Sequence, residues 1–342
     1  SLPSLKVVVT SVVSIRLLAS RITNQLRCWW SYALSFFGVV RVRHLPTFVS
    51  IEPANYCQLR CPECPMGQRS AKDAAHKAQN MTWDTYERIL SQVQTAAHTI
   101  QFYFQGEPLL NPLLPKMISC AREKQLFTIV STNAQALTHS MAEELVKSGL
   151  NRIIVSIDGF SEESYAAYRV GGSLHQALEG LQYLREAKAH YHSPICIELQ
   201  VLRLRSNEHE WQWIRQNYRK LGATRLVFKT AQLYDYQHGH PLMPTDERYS
   251  RYKKSADGTY YLQRSRTLNL ALSLFHQSPC YRLWSGCVIT TNGEVLPCCY
   301  DKEHHHSLGN ITSHSLSDIF HSKKANNLRQ FVLKSQESRP NM

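Results

Sequence analysis

The strongest constraint on the fold is a regular alternation of strand and helix that begins near residue 47. Short runs rich in β-branched and aromatic residues are separated by amphipathic segments of helical period. Strands joined by helical crossovers form parallel sheets, because a tight turn cannot connect parallel neighbours. We predict strands at 47–52, 99–105, 127–131, 152–157, 195–201 and 225–229, and helices at 83–97, 113–123, 140–148, 162–169, 174–189 and 208–220. This pattern predicts an α/β fold with a parallel sheet.

Three cysteines follow the first predicted strand in a C-x3-C-x2-C run, at Cys57, Cys61 and Cys64. Three thiolates on one loop can bind three irons of a 4Fe–4S cluster and leave the fourth iron free to bind another ligand. A cluster that only carries electrons usually has four cysteine ligands, and a structural zinc ion usually has paired C-x2-C ligands. The spacing therefore favours an open cluster, with a zinc or disulfide loop as the alternative.

The ends of the next strands carry short motifs that, in order, resemble the radical S-adenosylmethionine (SAM) superfamily. The cysteine run resembles the superfamily's signature, and Gln105-Gly106-Glu107-Pro108 resembles its Gly-Gly-Glu-Pro segment. The remaining motifs are Ser131-Thr132-Asn133, Ser156-Ile157-Asp158-Gly159 and Arg169 in Tyr168-Arg169-Val170-Gly171-Gly172. Each alone is a common strand-end or surface feature, but together on consecutive strands they favour this family.

The resemblance implies a partial (β/α)6 TIM-like barrel with its chemistry at the carboxyl ends of the strands. The open iron would bind SAM, and one electron from the cluster would cleave SAM to methionine and a 5′-deoxyadenosyl radical that abstracts hydrogen from a substrate. The implied SAM-binding residues are Gly106, Glu107, Pro108, Ser131, Asn133, Ser156, Asp158 and Arg169, the last as the partner of the SAM carboxylate. Glu63 departs from the pattern, since many members have an aromatic residue there.

A second cysteine group occupies the C-terminal part of the chain. Its members are Cys280, Cys287, Cys298 and Cys299, with Gly293 placed as in a C-x(9–15)-G-x4-C motif. This resembles the SPASM or Twitch extension, which implies an auxiliary Fe–S cluster with Cys280, Cys287 and Cys298 as candidate ligands. A zinc site is the alternative.

The family usually closes this auxiliary site with a further C-x2-C, which is missing before Met342. We expect that the sequence stops short of that pair. If the chain is complete, Asp301 or a histidine of His304–His306 could replace it, or the auxiliary cluster would be labile or absent.

Residues 5–36 follow a seven-residue apolar repeat, which predicts one or two amphipathic helices. One set of positions is Leu5, Val12, Ala19, Leu26 and Ala33, and the other is Val8, Ile15, Ile22, Trp29 and Phe36. Three interpretations remain open: a helix packed on the main domain, a basic helix on a membrane surface, or a helical dimer seam. We divide the chain into this N-terminal helical segment (1–46), the barrel (47–230), a connector (231–279) and the C-terminal extension (280–342).

Composition places the chain among ordinary globular proteins of reducing compartments. It is 43% apolar, and seven of its ten cysteines fall in two clusters, at 57–64 and 280–299, which favours metal binding over a disulfide framework. No apolar stretch is long enough for a transmembrane helix, and no basic run with interleaved aromatic residues indicates nucleic-acid binding. We therefore expect a cytoplasmic enzyme that binds no nucleic acid, with residues 5–36 as the candidate membrane contact. The net charge of +13 also favours an anionic substrate.

The leading functional hypothesis is a radical SAM oxidoreductase that makes an oxidative modification, such as dehydrogenation, on a small molecule. Its cofactors would be the SAM-binding 4Fe–4S cluster, SAM and an auxiliary cluster, and its electron donor a reductant such as flavodoxin or ferredoxin. The alternatives are a maturase that modifies a peptide or protein, and a non-catalytic Fe–S or zinc scaffold. The catalytic acid or base is not identifiable, although Lys229 lies near the end of the sixth strand.

Overall fold

A largely parallel sheet forms the centre of the protein, which we describe from a computed structural model over residues 5–69, 77–263 and 280–337. Its first six strands are β1 (Phe48–Ile51), β2 (Thr99–Phe102), β3 (Phe127–Thr132), β4 (Arg152–Ser156), β5 (Cys196–Arg203) and β6 (Arg225–Thr230). Each pairs in parallel with the next. The prediction of an α/β fold with a parallel sheet is confirmed.

Helices connect these strands and cover one face of the sheet. The helices within and before the barrel are α1 (Leu5–Ser35), α2 (Pro65–Arg69), α3 (Trp83–Val93), α4 (Leu114–Glu123), α5 (His139–Lys147), α6 (Glu162–Ala166), α7 (Leu174–His190) and α8 (Trp211–Asn217). Short 3₁₀ turns lie at Pro108–Leu110, Arg205–Glu210 and Glu247–Tyr249. Several helices begin at a Ser or Thr whose side chain accepts a hydrogen bond from the first turn, as at Thr82 and Thr138.

Alternate residues of each strand face opposite sides of the sheet. Val49, Ile100, Val130, Ile153 and Leu199 face the helices and are buried in the main hydrophobic core. The residues between them face the inside of the barrel. The sheet therefore has an apolar outer face that stabilises the fold and an inner face available for function.

The C-terminal part adds three strands to the same sheet, β9 (Gly286–Ile289), β10 (Glu294–Leu296) and β11 (Gly309–Asn310). Strand β9 pairs in parallel with β1, and β10 and β11 follow in antiparallel order. Over the described residues the sheet has nine strands in the order β11-β10-β9-β1-β2-β3-β4-β5-β6, so it is open and its edges are β11 and β6. The helices α9 (Arg282–Ser285), α10 (Leu316–His321) and α11 (Lys323–Glu337) complete this part.

The predicted connector contains ordered structure in its described part. Strands β7 (Tyr252–Lys254) and β8 (Tyr260–Leu262) form a separate antiparallel hairpin. Leu233, Met243 and Tyr252 pack with Leu59 and Cys61 in a second apolar cluster. The connector therefore covers the cysteine loop, and its residues 264–279 lie outside the described residues.

The N-terminal segment forms a single helix, α1, that contacts the main domain largely through polar side chains, and Tyr32 also packs edge-on against Tyr281 and Trp284. The guanidinium of Arg21 donates to the carbonyl oxygens of Gln94 (2.6 Å) and Gln125 (3.0 Å). The amide of Asn24 donates to Leu45 O (3.0 Å) and Ala96 O (3.1 Å). Of the helices in the described parts of the chain, none is both long and apolar enough to cross a membrane.

Candidate active site

The cysteine loop lies at the carboxyl end of β1, between that strand and α2. Arg60 N donates to Val170 O (2.9 Å), and Cys64 N donates to Cys61 O (3.1 Å), so the backbone of the loop is held at both points. Cys61 is buried, and Cys57 and Cys64 are half-buried; all three are free thiols. The structure therefore brings the three predicted ligands together on one short loop.

The environment of these thiols suits an iron–sulfur cluster. The pKa of Cys57 is raised to about 12, mainly by burial; the hydrogen bond from Leu59 N opposes the rise, and the charges of Glu107, Cys64 and Cys61 contribute to it. Burial also raises the pKa of Cys61, although Arg169 opposes this. A bound metal displaces these protons, and thiolates are the donors that Fe–S clusters require. Cys57 Sγ also accepts hydrogen bonds from Leu59 N and Asn133 Nδ2, both at 3.4 Å, as cluster sulfurs commonly do.

Glu107 lies in the loop after β2, where it caps the Pro108–Leu110 turn, and it connects this loop to the end of β3. Its Oε1 accepts from Thr132 Oγ1 (2.7 Å) and Leu109 N (3.2 Å), and its Oε2 accepts from Asn133 N (2.8 Å). Burial raises the pKa of Glu107, and these three donors oppose the rise. The carboxylate therefore positions Asn133 next to Cys57. Its contact with the SAM ammonium group stays a prediction.

Gly106 and Pro108 shape the backbone on either side of Glu107. A Cβ atom at Gly106 would lie 2.0 Å from Ala54 O and 2.8 Å from Tyr56 N, so only glycine fits between β2 and the cysteine loop. Pro108 begins the 3₁₀ turn that directs the chain away from the site. The motif thus has a structural role at this position, in addition to the predicted contact with SAM.

Asp158 and Arg169 form a buried ion pair at the end of β4. Asp158 Oδ2 accepts from Arg169 Nε (2.7 Å) and Nη2 (2.6 Å), and Asp158 Oδ1 accepts from Leu202 N (2.6 Å). Burial alone would lower the pKa of Arg169, but the charges of Asp158 and Cys61 outweigh it and raise the pKa. Arg169 Nη1 lies 4.0 Å from Cys61 Sγ, which directs the guanidinium toward the cysteine loop.

The inner face of the sheet is polar near the carboxyl ends of the strands. Strand register puts the predicted residues Ser131 and Ser156 on this face. Ser50, Gln101 and Gln200 lie on the same face but were missed in the sequence analysis. Each is a polar residue at an inward position of a predicted strand, so strand parity is the signal that could have identified them.

Lys229 also lies on this inner face. It pairs with Leu202 between β5 and β6, in the same register that pairs Arg225 with Glu198. Burial lowers the pKa of Lys229, Glu198 opposes this, and Arg282 adds to it. A lysine with a lowered pKa at the carboxyl end of a barrel strand can contact substrate or carry a proton. The structure thus keeps Lys229 as a candidate for that role.

A polar cavity of about 310 Å³ opens beside the site, between the ends of β1 and β2 and the turn after β9. Its lining includes Glu52, Gln105, Asn292 and His304. Gln105 Nε2 donates to Lys302 O (2.8 Å), while the buried Gln105 Oε1 has no hydrogen-bond partner within the described ranges. A buried acceptor of this kind is costly unless a ligand or water donates to it.

Glu63 connects the cysteine loop to the connector. Its Oε2 accepts from Tyr234 N (2.9 Å), and its Oε1 lies 3.3 Å from His240 Nε2. The hydroxyl of Tyr234 lies 2.8 Å from Lys302 Nζ in the C-terminal part. Glu63, at the position where many family members have an aromatic residue, therefore anchors the connector over the cysteine loop.

The second cysteine group divides into two parts. Burial raises the pKa of Cys298, and the charges of Cys299 and Cys280 add to the rise, so both belong to the electrostatic surroundings of Cys298. A cavity of only about 20 Å³ is lined in part by Cys287, Cys298 and Cys299. Across the described ranges, no three His, Cys, Asp or Glu side chains converge on a point that could hold a single metal ion.

Cys287 adjoins the same small cavity as Cys298 and Cys299, but its side chain belongs to the main hydrophobic core. It pairs with Val49, faces the outer hydrophobic core and is fully buried. Burial raises the pKa of Cys287 to about 12, and only the charge of Arg329 opposes this. The assignment of Cys280, Cys287 and Cys298 as ligands of an auxiliary cluster stays a prediction.

Comparison with protein families matches two models to the chain. The radical SAM superfamily model matches residues 51–206, and the SPASM iron–sulfur cluster-binding domain matches residues 280–341, which together are more than half of the chain. The chain belongs to the radical SAM superfamily. It is an enzyme of that superfamily, and its C-terminal part is a SPASM domain. Family membership implies a SAM-binding 4Fe–4S cluster, SAM and an auxiliary Fe–S cluster.

Known relatives are distant and mostly longer. An AdoMet-dependent heme synthase of Methanosarcina barkeri is 27% identical over 150 residues, which cover 44% of this chain and 42% of the relative. A PqqA peptide cyclase of Streptomyces rochei is 23% identical over 262 residues, covering 74% of this chain and 69% of the relative. The crystal structure of Streptococcus suis SuiB bound to S-adenosylmethionine superposes with a TM-score of 0.62 at 15% identity, over 87% of this chain and 70% of that chain. The likeness to SuiB shows the fold, and the chain spans less than half of the heme synthase.

Proposed function

We propose that this radical SAM enzyme makes an oxidative modification on a small polar substrate. The observation that carries the proposal is the polar cavity of about 310 Å³ next to the Gly106–Glu107 strand end. Its volume is near the lower end of small-molecule sites. Gln105 belongs to both the cavity lining and the motif that approaches the cysteine loop, so a molecule in the cavity would lie beside the SAM site.

The cofactors, when bound, supply the electron and the carbon-centred radical that removes a hydrogen atom from the substrate. The protein residues hold the reactants in place. Cys57, Cys61 and Cys64 would bind the cluster, and Asn133 and Leu59 N would donate to the sulfur of Cys57. Arg169 would hold the SAM carboxylate through Nη1, the one guanidinium nitrogen that Asp158 leaves free.

The SPASM domain suits an oxidative outcome. An auxiliary cluster can accept the electron that a substrate radical loses, and we propose Cys280 and Cys298 as its ligands, with Cys287 as a further candidate. The electron for SAM cleavage would come from a small reductant such as flavodoxin or ferredoxin. A net charge of +13 favours association with an acidic protein of this kind.

A peptide maturase is the second candidate, and the similarity to the PqqA peptide cyclase over 74% of this chain favours it. The same cavity could receive one polar side chain of a peptide. Adding small-molecule and peptide fractions of a cell extract separately to the enzyme distinguishes the two candidates. The fraction that contains the substrate should increase 5′-deoxyadenosine formation several-fold over the rate without substrate.

The first experiment is anaerobic reconstitution with iron and sulfide, followed by dithionite and SAM, with 5′-deoxyadenosine as the measured product. We expect product from the native chain and none from the Cys57→Ala, Cys61→Ala, Cys64→Ala variant. The matched control is Cys120→Ala, Cys196→Ala, which removes two cysteines outside both groups and should keep full activity. A cluster-loaded native chain that forms no product would instead favour a scaffold role.

A further inference from the structure

Helix α1 presents its apolar side to solvent and its polar side to the protein. The buried positions of its described side chains are Arg21, Asn24, Cys28, Ser31 and Ser35, which recur every three or four residues. The opposite positions are Ile15, Leu18, Ile22, Leu26, Trp29 and Trp30, and each is more than half exposed. A helix on the surface of a globular protein normally has the reverse arrangement.

Specific contacts fix this orientation. The hydrogen bonds of Arg21 and Asn24 hold the helix to the carboxyl ends of α3 and α4 and to the segment before β1. Turning the apolar stripe inward would break these bonds and leave the guanidinium of Arg21 without its acceptors. The apolar stripe is therefore outward because the contact face is held mainly by these polar side chains, with Cys28 and Tyr32 packed between the helix and the domain.

The stripe exposes far more apolar surface than an isolated apolar residue does, and it includes two tryptophans. Contiguous exposed apolar patches on soluble proteins mark interaction sites. Tryptophan is the side chain most typical of the boundary between lipid and water. The exposed residues Phe37 and Val39 continue the apolar surface beyond the end of the helix.

The charges around the stripe favour one kind of partner. No acidic residue occurs before Glu52, while Arg16 and Arg27 are exposed beside the stripe on α1. Arg41 and Arg43 are exposed just after the helix. These positive charges around the stripe complement anionic headgroups. It opposes a second copy of the chain, because a symmetric pairing of the stripes would bring arginines of both copies together.

We propose that α1 lies on an anionic membrane surface, with Ile22, Leu26 and Trp29 in the boundary of the acyl chains and Arg16 and Arg27 at the headgroups. Interfacial helices of this type insert their apolar side by about 5–10 Å and do not span the bilayer. The barrel would then be held next to the membrane. The proposal depends on α1 and its docking, and it stands independently of the substrate.

The test is flotation of the full chain with vesicles of phosphatidylcholine and phosphatidylglycerol, and with phosphatidylcholine alone. We expect binding at least tenfold stronger to the anionic vesicles. The Ile22→Gln, Leu26→Gln, Trp29→Gln variant should lose binding by at least tenfold, and Arg16→Gln, Arg27→Gln should lose the preference for anionic lipid. The matched control is Phe331→Gln, an equally exposed apolar residue on α11, which should bind as the native chain does.

Circular dichroism is used to check that each variant keeps its helix content and melting temperature. Quenching of tryptophan emission by brominated acyl chains measures insertion, and we expect it only with the native stripe. Absence of binding, or binding without quenching, overturns the proposal. A dimer in light scattering that the stripe variant dissociates, together with no vesicle binding, would assign the stripe to a second copy instead.

Discussion

At the scale of single residues, the site depends on buried charges that hold one another in place. One carboxylate, Asp158, accepts hydrogen bonds from Leu202 N on β5 and from Arg169 after α6. Arg169 in turn faces Cys61. These contacts join two strand ends, a helix and the cysteine loop, so the loss of either charge disturbs more than one part of the site.

Replacing Asp158 by alanine should strongly destabilise the protein. The guanidinium of Arg169 would remain buried without its partner, and breaking a buried ion pair in this way typically costs about 3–5 kcal/mol. Denaturant unfolding measures the change in the free energy of unfolding. The control is Asp246→Ala, which removes the partner of the exposed Arg248 and the cap of the Glu247–Tyr249 turn, and it should destabilise the protein far less. Equal effects of the two substitutions would contradict the role of burial.

Motifs identified these residue types but not their partners. Glu107 and Arg169 were assigned to SAM from the resemblance, whereas the structure shows Glu107 bonded to Thr132, Leu109 and Asn133 and Arg169 bonded to Asp158. These partners depend on how strand ends meet in space. A single sequence does not contain that information, since the partners are separated along the chain.

At the scale of elements, the connector and the cysteine loop form one unit. Glu63 accepts from Tyr234 N and pairs with His240, while Leu233 and Met243 pack against the loop's apolar side. The carboxylate of Glu63 is almost completely buried, unlike most surface carboxylates. The connector should therefore be anchored to the loop mainly through this residue.

Glu63→Ala should loosen the connector without unfolding the barrel. The variant loses both contacts of the carboxylate, so residues 231–263 should be cleaved several-fold faster in limited proteolysis followed by mass spectrometry. The matched control is Glu179→Ala, which removes the exposed partner of His175 on α7 and should not change cleavage. An unchanged cleavage rate in Glu63→Ala would show that apolar packing alone holds the connector.

The predicted elements were correct where hydrophobic periodicity determines the structure. They were incomplete where contacts between distant parts of the chain determine it. The six barrel strands were predicted because β-branched runs between helical segments allow few other arrangements. The strands β9, β10 and β11 were not predicted, because no helical segments separate these short runs as they separate the barrel strands. The apolar repeat of α1 was recognised, but its packing side was not, since Arg21 and Asn24 hold the helix by hydrogen bonds.

At the scale of the whole molecule, His44 connects the N-terminal segment to the SPASM domain. His44 Nε2 lies 2.8 Å from Trp284 O, and His321 Nε2 lies 2.9 Å from His44 O. Burial lowers the pKa of His44 to about 4; the bond to Trp284 O opposes this, and the charges of Arg329 and His321 add to it. The folded protein therefore keeps His44 neutral at a pH where the unfolded chain protonates it.

Stability should consequently fall as the pH decreases from 6.5 toward 4. Because the folded pKa lies below the unfolded value of 6.5, the unfolded chain binds the proton first, and the contribution present above pH 6.5 is lost through this range. The shift corresponds to roughly 3 kcal/mol. Unfolding of the native chain and of His44→Gln at several pH values measures it, and the variant should lose less stability. Parallel curves would contradict the assignment.

The pairing of β1 with β9 has a consequence for how the chain is made. Val49 contacts its neighbour Cys287 only after the intervening residues have left the ribosome, so during synthesis one edge of β1 has no partner strand. Contacts between residues so distant in sequence slow folding, and an open strand edge invites pairing with other chains. A chain released before residue 286 should therefore aggregate, because its first strand is protected on both edges only after residues 286–289 have been made.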